Sequence, residues 1–373
     1  MRVLVCPTAY EGSLTADAVA EAMERGVARV RPDAEVERLP LSDGGPGLLD
    51  ALSAIGRTRS VAAEVRGPLG EPVIARLLLR YGGREAVVES AQACGLHRLA
   101  EPAPLDASTA GVGDLVLAAR RTGAGRLIIG LGGSASTDAG TGMAEALGYE
   151  FRDSDGRALP PGGGALHSLA EIRPPEGAAA AAVTALAVTA LADVTTPLSG
   201  QGGAAATFGP QKGADDRDVA LLDLGLRTVA DRVAEDLPDR QVDPGAPGAG
   251  AAGGLGYGCA AFLGASLVAG SAWVLRETGF DDALAAADMV LTGEGAFDRT
   301  SAAGKIVGEV LRRAVEAAVP SVLVCGLIEA PHAAAVALDR RDAEGAGDVL
   351  SAGALEELAA LGVRRAGEGS AGS

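Results

Sequence analysis

MRVLVCPTAYEGSLTADAV, residues 1–19, is the stretch that decides how the chain begins to fold. The apolar run RVLVC breaks at Pro7, passes a turn and enters a helical pattern. We predict a helix over residues 13–30, with Ser13 able to cap its first turn. The backbone N–H groups and dipole of such a helix end favour anions, so a basic residue in the turn would complete a phosphate site. The turn holds Glu11 instead.

Outward from this stretch, strand-like apolar runs alternate with helical patterns, which predicts an α/β fold with a largely parallel sheet. Residues 58–90 differ, because three extended segments joined by GPLGEP and GGR are typical of an antiparallel meander. The alternation returns in the last third, with helices predicted at 281–287 and 304–317. The run AAFLGASLVAG, residues 260–270, has a helical pattern, and the tail from Ala366 predicts disorder.

Composition limits the classes of partner and the location. The chain has 373 residues, enough for two domains, and a formal charge of −17 that repels nucleic acid and anionic membranes. Four cysteines stand far apart without a CxxC pair and predict small buried fillers: Cys6, Cys94, Cys259 and Cys325. No secretory signal pattern is visible, and the apolar residues 177–192 lack membrane anchors. We therefore expect a cytoplasmic protein with no nucleic acid or membrane partner.

Four glycine-rich junctions each follow a predicted strand: SDGGPG (42–47), GLGGSASTDAGTG (130–142), ADVTTPLSGQGG (192–203) and LTGEGAFD (291–298). Because the carboxyl ends of parallel strands form the ligand crevice, such loops can share one cleft. In the second junction Ser134, Ser136 and Thr137 offer hydroxyls, and Gly132 and Gly133 expose N–H groups. Many neutral donors that leave room for approach are what a polyphosphate needs.

Three acids and two lysines are the charged candidates. Asp138 opens a helix, and Asp193 and Asp298 follow predicted strands, where Mg²⁺ or a reacting hydroxyl would be met. The structural alternatives are a helix N-cap for Asp138 and an Asx turn for the other two. Lys212 and Lys305 are the only lysines of the chain. Each flanks a glycine at a loop–helix junction and could reach a phosphate, and the alternative is a solvated surface lysine.

Four motifs, GGSASTDAGTGMAEALG, FGPQKGA, PGAGAAGGLGYG and LTGEGAFDRTSAAGK, occur in an order and spacing that resemble the bacterial type I glycerate kinases, over about residues 1–330. The resemblance implies transfer of the ATP γ-phosphoryl group to D-glycerate, with ATP and Mg²⁺ as cofactors. It also implies a flavodoxin-like parallel-sheet α/β domain built from both chain ends, with a second α/β domain inserted. We place the first domain at residues 1–59 and 285–373, and the insert at 60–284.

The two N-terminal turns depart from the family pattern, which usually reads P-D-S-F-K-G-S and D-G-G-E-G-T. Thr8 replaces the acid and Glu11 the lysine, Pro46 and Leu48 replace Glu and Thr in the second turn, and Ala303 replaces a His near the last motif. A Lys-to-Glu change turns attraction for a carboxylate or phosphate into repulsion of order ~1–4 kcal/mol. Three accounts stay open: a less anionic or cationic acceptor, Glu11 as a base or metal ligand, or impaired phosphoryl chemistry.

The site roles predicted from these residues and from the resemblance fall into four groups. The catalytic residues are Asp193, Asp298 and Lys305. The nucleotide-binding residues are Gly132, Gly133, Ser134, Ser136, Thr137, Lys212, Gly293 and Glu294. The acceptor-binding residues are Thr8, Glu11, Ser13, Asp43, Gly44 and Gly45, and the Mg²⁺ ligands are drawn from Asp43, Asp138 and Asp193.

The predicted function is an ATP-dependent kinase that phosphorylates the hydroxyl of a small hydroxy acid or polyol. The alternative is a relative on the same fold that works without phosphate transfer, as a lyase or dehydratase, or that binds nucleotide as a regulatory protein. Turnover without ATP would indicate the first of these, and binding of ATP without release of ADP would indicate the second. The sequence leaves a homodimer open as the assembly.

Overall fold

The computed structural model describes residues 1–10, 13–177, 186–298, 301, 305–329, 335–342 and 351–369. The strands are β1 (Arg2–Val5), β2 (Glu35–Arg38), β3 (Arg59–Arg66), β4 (Pro72–Arg80), β5 (Glu85–Glu89), β6 (Arg126–Gly130), β7 (Glu150–Arg152), β8 (Glu171–Arg173), β9 (Ala187–Leu191), β10 (Ser266–Val268), β11 (Met289–Thr292), β12 (Ala296–Phe297), β13 (Ser321–Val324), β14 (Leu327–Ile328) and β15 (Ala335–Leu338). The helices are α1 (Ala16–Val30), α2 (Leu48–Ala54), α3 (Ala91–Cys94), α4 (Ala110–Arg121), α5 (Thr141–Ala146), α6 (Ala204–Phe208), α7 (Asp216–Asp236), α8 (Ala251–Leu263), α9 (Gly270–Thr278), α10 (Phe280–Ala285), α11 (Ile306–Glu316) and α12 (Ala352–Gly369).

The chain packs into two compact units. Unit 1 comprises Met1–Asp43, Asp50–Gly56 and Ser271–Ser373, and unit 2 comprises Gly44–Leu49 and Arg57–Gly270. Both ends of the chain therefore belong to unit 1. The domain boundaries predicted from the sequence, at 59/60 and 284/285, stay a prediction.

Unit 1 contains a sheet in the order β15-β13-β11-β1-β2, in which every neighbouring pair is parallel. Counted within this unit alone and from the other edge, the strand order is 2-1-3-4-5, which is the flavodoxin-like order. The first two strands come from the N-terminal part of the chain and the other three from the C-terminal part. The predicted flavodoxin-like sheet built from both chain ends is confirmed. In this topology ligands bind at the carboxyl ends of the first and third strands, which are β1 and β11.

Helix α1 begins after Thr15, whose side-chain oxygen accepts a hydrogen bond from the Ala18 N–H at 3.3 Å. The prediction that Ser13 caps this helix was wrong. The Ser13 hydroxyl donates instead to the Tyr10 carbonyl oxygen at 3.0 Å. Serine and threonine are both good N-caps, and here Leu14 is bonded to Tyr10 through two backbone hydrogen bonds just before the helix starts.

The C-terminal helix α12 packs against α1. An added Cβ on Gly26 would lie 2.4 Å from the Glu356 carbonyl oxygen and 2.7 Å from the Ala359 Cβ, so the two helices approach closely there. Leu355 is fully buried in the same core. The predicted disorder from Ala366 was wrong up to the end of α12, because packing on α1 outweighs the weak helix propensity of a glycine-containing sequence.

Unit 2 contains a sheet in the order β10-β9-β6-β5-β4-β3. Its first four strands are parallel, and the pairs β5–β4 and β4–β3 are antiparallel. The antiparallel meander predicted for residues 58–90 is therefore confirmed. The helix predicted over residues 260–270 ends early, because Gly264 closes α8 at a φ of 65° and the next residues form β10.

Small residues bring the elements of unit 2 close together. An added Cβ on Gly258 in α8 would lie 2.3 Å from the Ala139 carbonyl oxygen, just before α5. The four cysteines are buried, as predicted. No helix in the described ranges has both the length and the hydropathy of a membrane crossing.

Candidate active site

In unit 1 the loops that follow β1 and β11 are hydrogen-bonded to each other. The Thr8 N–H and hydroxyl both donate to the Gly293 carbonyl oxygen, at 2.9 and 3.3 Å. The Thr292 hydroxyl donates to the Cys6 carbonyl oxygen at 2.9 Å. These bonds lie at the end of the sheet where flavodoxin-like folds bind ligands. Two predicted site residues, Thr8 and Gly293, are therefore in contact there.

The glycines of the GEG sequence fix the backbone of Glu294. An added Cβ on Gly293 would lie 1.8 Å from the Val324 carbonyl oxygen, and one on Gly326 would lie 2.4 Å from the Gly295 carbonyl oxygen. Only residues without a side chain allow such an approach between backbones. The chain on both sides of Glu294 is thus held against the loop that follows β13.

The Glu294 carboxylate lies among charged groups of both signs. Burial raises its pKa to about 7, and the negative charges of Asp298 and Asp43 act in the same direction. A hydrogen bond with Ser301 and the positive charge of Lys305 oppose this rise. The Oε1 atom is shielded from water and has no hydrogen-bond partner among the residues that the structure describes.

Asp298 and Lys305, both predicted as catalytic, lie near enough to Glu294 for their charges to act on its pKa. The Asp298 Oδ1 accepts hydrogen bonds from the Ser301 N–H at 2.9 Å and from the Ser301 hydroxyl at 3.3 Å, so it is engaged by a residue three positions along the chain. Lys305 is partly exposed at the N-cap of α11, where the helix dipole adds to its positive charge. In unit 1 the charges of Asp43, Asp298 and Lys305 thus all act on the Glu294 carboxylate.

The turn after β1 is tied to the sheet by a residue that the sequence did not single out. The Tyr10 hydroxyl donates to the Val324 carbonyl oxygen at 2.6 Å, and the ring is buried. The Ser13 hydroxyl is engaged with Tyr10, and its side chain is exposed. Glu11, the acid in this turn, lies outside the described residues.

In unit 2 the turn at residues 44–46 packs directly on the carboxyl end of β6. An added Cβ on Gly130 would lie 2.3 Å from the Gly44 carbonyl oxygen. Added Cβ atoms on Gly132 and Gly133 would lie 3.3 Å from the Gly45 Cα and 3.0 Å from the Pro46 Cγ. The second N-terminal turn (residues 42–47) and the GGSAST loop (residues 132–137) are therefore in contact. This contact is what we expect if the glycine-rich junctions share one end of the sheet.

Asp138 is completely buried, and its carboxylate is occupied by hydrogen bonds. Oδ2 accepts from the Thr109 N–H and hydroxyl, both at 2.8 Å, and from the Gly142 N–H at 3.3 Å, while Oδ1 accepts from the Gly140 N–H at 3.1 Å. Burial raises its pKa and these hydrogen bonds oppose the rise. Asp138 is not the N-cap of α5, which is Gly140, but its carboxylate is engaged by N–H groups at the start of that helix, and this favours a structural role over the predicted Mg²⁺ ligand.

Lys212 lies inside unit 2, only 2% exposed, so the alternative of a solvated surface lysine was wrong. Its Nζ donates to the Ser134 Oγ at 3.1 Å and to the Ser136 carbonyl oxygen at 2.6 Å. Burial lowers its pKa to about 8, although the nearby Cys94 and Asp138 act in the opposite direction. The ammonium group supports the GGSAST loop from within the unit.

The three hydroxyl residues of that loop are also turned inward. Ser134, Ser136 and Thr137 are at most 4% exposed, whereas Gly132 is partly exposed and Gly133 is exposed. The Thr137 Oγ1 is buried without a hydrogen-bond partner in the described part of the chain. Solvent therefore reaches the loop at its two glycines, and the hydroxyls lie behind them.

Asp193, partly buried, follows β9, which neighbours β6 in the sheet. The Leu131 N–H donates to the Leu191 carbonyl oxygen at 3.0 Å, so the chain segments that lead to Gly132 and to Asp193 leave the sheet side by side. The Asp193 carboxylate and the GGSAST loop therefore belong to the same end of unit 2.

Sequence reasoning missed Tyr10, Ser301 and Thr109. Ser301 carries a readable signal, because an aspartate often accepts a hydrogen bond from the backbone N–H three residues further on. Tyr10 and Thr109 bond to groups 314 and 29 residues away, and no local pattern indicates such contacts.

Known proteins are similar to this chain in sequence. The sequence model of the glycerate kinase family matches residues 3–344. The chain belongs to the glycerate kinase family. It is 40% identical over 330 residues to the glycerate kinase of Bacillus subtilis (strain 168), with 88% of this chain and 85% of the relative covered. It is 38% identical over 310 residues to the glycerate 2-kinase of Escherichia coli (strain K12), with 82% and 80% covered.

A solved structure has the same fold. The crystal structure of a protein assigned as glycerate kinase 2 from Salmonella typhimurium LT2 matches with a TM-score of 0.80 and 35% identity, and covers 100% of this chain and 99% of that one. The predicted fold and family are confirmed. This family member is a phosphotransferase with an alcohol group as acceptor, it acts on a small hydroxy acid, and its reaction is ATP-dependent phosphoryl transfer.

Proposed function

We propose that this glycerate kinase family member transfers the γ-phosphoryl group of ATP to a hydroxyl of D-glycerate and requires Mg²⁺. The curated relatives named glycerate kinases support the choice of acceptor. The observation that carries the proposal is the contact between residues 44–46 and Gly132–Gly133 at the carboxyl end of parallel strands, the position at which such sheets bind phosphorylated ligands.

On the nucleotide side, Gly132 and Gly133 are the accessible part of the loop and would present backbone N–H groups to the phosphates. Lys212 would act from behind this loop, through Ser134 and Ser136, rather than by reaching into solvent. The Thr137 hydroxyl, which has no hydrogen-bond partner in the described ranges, fits a loop that binds a polar ligand.

Mg²⁺ in kinases is usually held by one or two carboxylates together with phosphate oxygens. Within the described ranges no group of three His, Cys, Asp or Glu side chains could hold a metal ion, which fits that shared mode and not a cage made by protein alone. Because the Asp138 carboxylate is fully engaged, we assign Asp193 as the protein ligand. The ion, when bound, supplies neutralisation of phosphate charge.

On the acceptor side we place Thr8, Ser13, Glu11, Asp43 and the glycines Gly44 and Gly45, as the resemblance implies. Gly293 and Glu294, predicted as nucleotide residues, contact or neighbour Thr8 in unit 1, so we assign them to the acceptor. Lys305, at the start of α11, would balance charge on the transferred group.

The assembly, the location and the domain boundaries are part of the same proposal. We propose a cytoplasmic enzyme with the two sequence-predicted domains, residues 1–59 with 285–373 and residues 60–284, and a homodimer remains the assembly to test. Size-exclusion chromatography with light scattering measures the oligomeric state.

An ADP-release assay coupled to NADH oxidation tests the function directly. We expect ADP formation that depends on both D-glycerate and Mg²⁺, and little with polyols that lack a carboxylate. If none of the hydroxy acids tested leads to ADP formation, the proposal is contradicted and a nucleotide-binding regulatory protein is favoured. Turnover of a hydroxy acid in the absence of ATP would instead favour a lyase or dehydratase.

The acid in the first turn gives a sharper prediction. Glu11→Lys restores the residue that the family usually has, and replaces repulsion of an anionic acceptor by attraction. We expect the KM for D-glycerate to fall about tenfold or more, while the KM for ATP changes less than twofold. Asp33→Asn, which neutralises an exposed acid just before β2, at the amino end of the sheet in unit 1, is the control. An unchanged acceptor preference would show that residue 11 does not face the acceptor.

A further inference from the structure

The position of Glu294 combines three properties that no other described carboxylate of unit 1 shares. It lies at the carboxyl end of β11, next to the loop of β1, where the flavodoxin-like fold binds ligands. Its backbone is held by the close approaches at Gly293 and Gly326. Its Oε1 is shielded from water and unpartnered within the described part of the chain.

We propose that Glu294 accepts the proton of the acceptor hydroxyl during phosphoryl transfer. This inference rests on the proposed function and assigns its base. A carboxylate oxygen that is buried without a partner carries a desolvation cost that a bound hydroxyl would relieve. The neighbouring Asp298 is less suited, because its Oδ1 already receives two hydrogen bonds from Ser301.

The groups that face Glu294 set its proton affinity. Asp43, which follows β2, and Asp298, which follows β12, raise its pKa, whereas Lys305 at the start of α11 and the Ser301 hydroxyl lower it. Burial is the largest cause, and the result is a pKa of about 7. A base with a pKa near the working pH is the most effective proton acceptor.

Two uncharged groups complete these surroundings. Burial raises the pKa of the Tyr10 hydroxyl well above its usual value, and the charge of Glu294 adds to the rise. Burial likewise raises the pKa of the Cys325 thiol. Both groups therefore stay protonated near neutral pH, and neither competes with Glu294 as the base.

The step balances as follows. The hydroxyl oxygen of the acceptor forms a bond to the γ-phosphorus of ATP as its proton passes to the Glu294 carboxylate. The bond between the γ-phosphorus and the oxygen that bridges to the β-phosphate breaks, and its electron pair leaves with ADP. Glu294 later releases the proton to water.

The pH dependence of kcat/KM for D-glycerate, measured by ADP release at saturating Mg²⁺, tests this inference. In the wild type we expect an acid limb of unit slope that ends near pH 7. Glu294→Gln should lower kcat by roughly 10²–10⁴-fold, the range for loss of a positioned base, and abolish that limb. Asp33→Asn, the exposed control at the amino end of β2, should keep both the rate and the limb.

Variants of two neighbouring residues add a second measurement, the pH at which the acid limb ends. A purely structural role of Glu294 would leave this pH unchanged. Asp298→Asn removes a charge that raises the pKa of Glu294, so the limb should shift to lower pH. Lys305→Met removes a charge that lowers it, so the limb should shift to higher pH. Both shifts are measurable in variants with reduced kcat.

The outcomes separate this inference from the proposed function. Wild-type protein that releases no ADP with D-glycerate contradicts the function itself. Active wild type together with a Glu294→Gln variant that binds a fluorescent ATP analogue and retains the acid limb overturns the role of Glu294. If Glu294→Gln does not fold, the other two variants decide. An acid limb that ends at the wild-type pH in both Asp298→Asn and Lys305→Met overturns the role of Glu294 as the base.

Discussion

At the scale of single residues, buried charge marks the parts of this enzyme that stability alone does not explain. Lys212 has an ammonium group inside unit 2, and burial lowers its pKa from 10.5 to about 8. Such a shift corresponds to a cost of roughly 3 kcal/mol for the charged form. Its two hydrogen bonds end on the GGSAST loop, so we interpret the lysine as support for that loop.

Lys212→Met gives a prediction about stability with a defined sign. Between pH 8 and 10.5 the unfolded chain binds more protons at this lysine than the folded one, so the wild type gains stability as pH rises and the variant does not. The destabilisation caused by Lys212→Met should therefore grow by roughly 2 kcal/mol between pH 7.5 and 9.5. Urea unfolding followed by circular dichroism measures it.

The matched control is Lys305→Met, which removes the other lysine from a position that water reaches. If Lys212→Met destabilises the protein equally at pH 7.5 and 9.5, the interpretation of Lys212 as a buried, charged lysine with a lowered pKa is contradicted. A rise in the KM for ATP in Lys212→Met would support the interpretation that Lys212 supports the GGSAST loop from behind.

At the scale of elements, contacts between helices outweigh the preferences of single helices. Glycine weakens a helix by about 1 kcal/mol relative to alanine, so Gly26→Ala would stabilise α1 in isolation. In unit 1 the added Cβ meets α12 at 2.4 and 2.7 Å. We therefore expect Gly26→Ala to destabilise the protein by about 1–3 kcal/mol, measured as a lower melting temperature.

Gly353 offers a control within α12 itself. It is exposed, and an added Cβ would meet only the Ser351 Oγ at 3.8 Å, an ordinary contact. Gly353→Ala should raise the melting temperature slightly. Similar effects of the two substitutions would indicate that α12 does not pack on α1 as described.

At the scale of the whole molecule, the net charge of −17 opposes the approach of anionic substrates. Salt screens this repulsion over distances of about 10 Å at 0.1 M ionic strength. We expect the KM for ATP to fall about twofold or more between 20 and 200 mM KCl at constant free Mg²⁺, with kcat little changed. Sucrose of equal osmolality is the control, and a KM that rises with salt would mean that local cations such as Lys305 dominate the field.

Local pattern predicted much of the fold and of the chemistry. Apolar runs followed by glycine-rich turns predicted the parallel strands, and the meander at residues 58–90 followed from its extended segments. The GGSAST and GEG stretches were recognisable because glycines, hydroxyls and acids at strand ends are a local pattern. The cap at Thr15 and the ordered end of α12 were missed, since competing caps and helix-to-helix packing are not local.

What the sequence by itself determined is the family, the fold class and the inventory of reactive groups, because these follow from patterns within a few tens of residues. Only the tertiary structure decided what each group is able to do. It buried Lys212 behind its loop, engaged Asp138 in four hydrogen bonds and left an oxygen of Glu294 without a partner among the residues that the structure describes. The physical reason is that desolvation and hydrogen bonding depend on neighbours in space, and those neighbours come from distant parts of the chain.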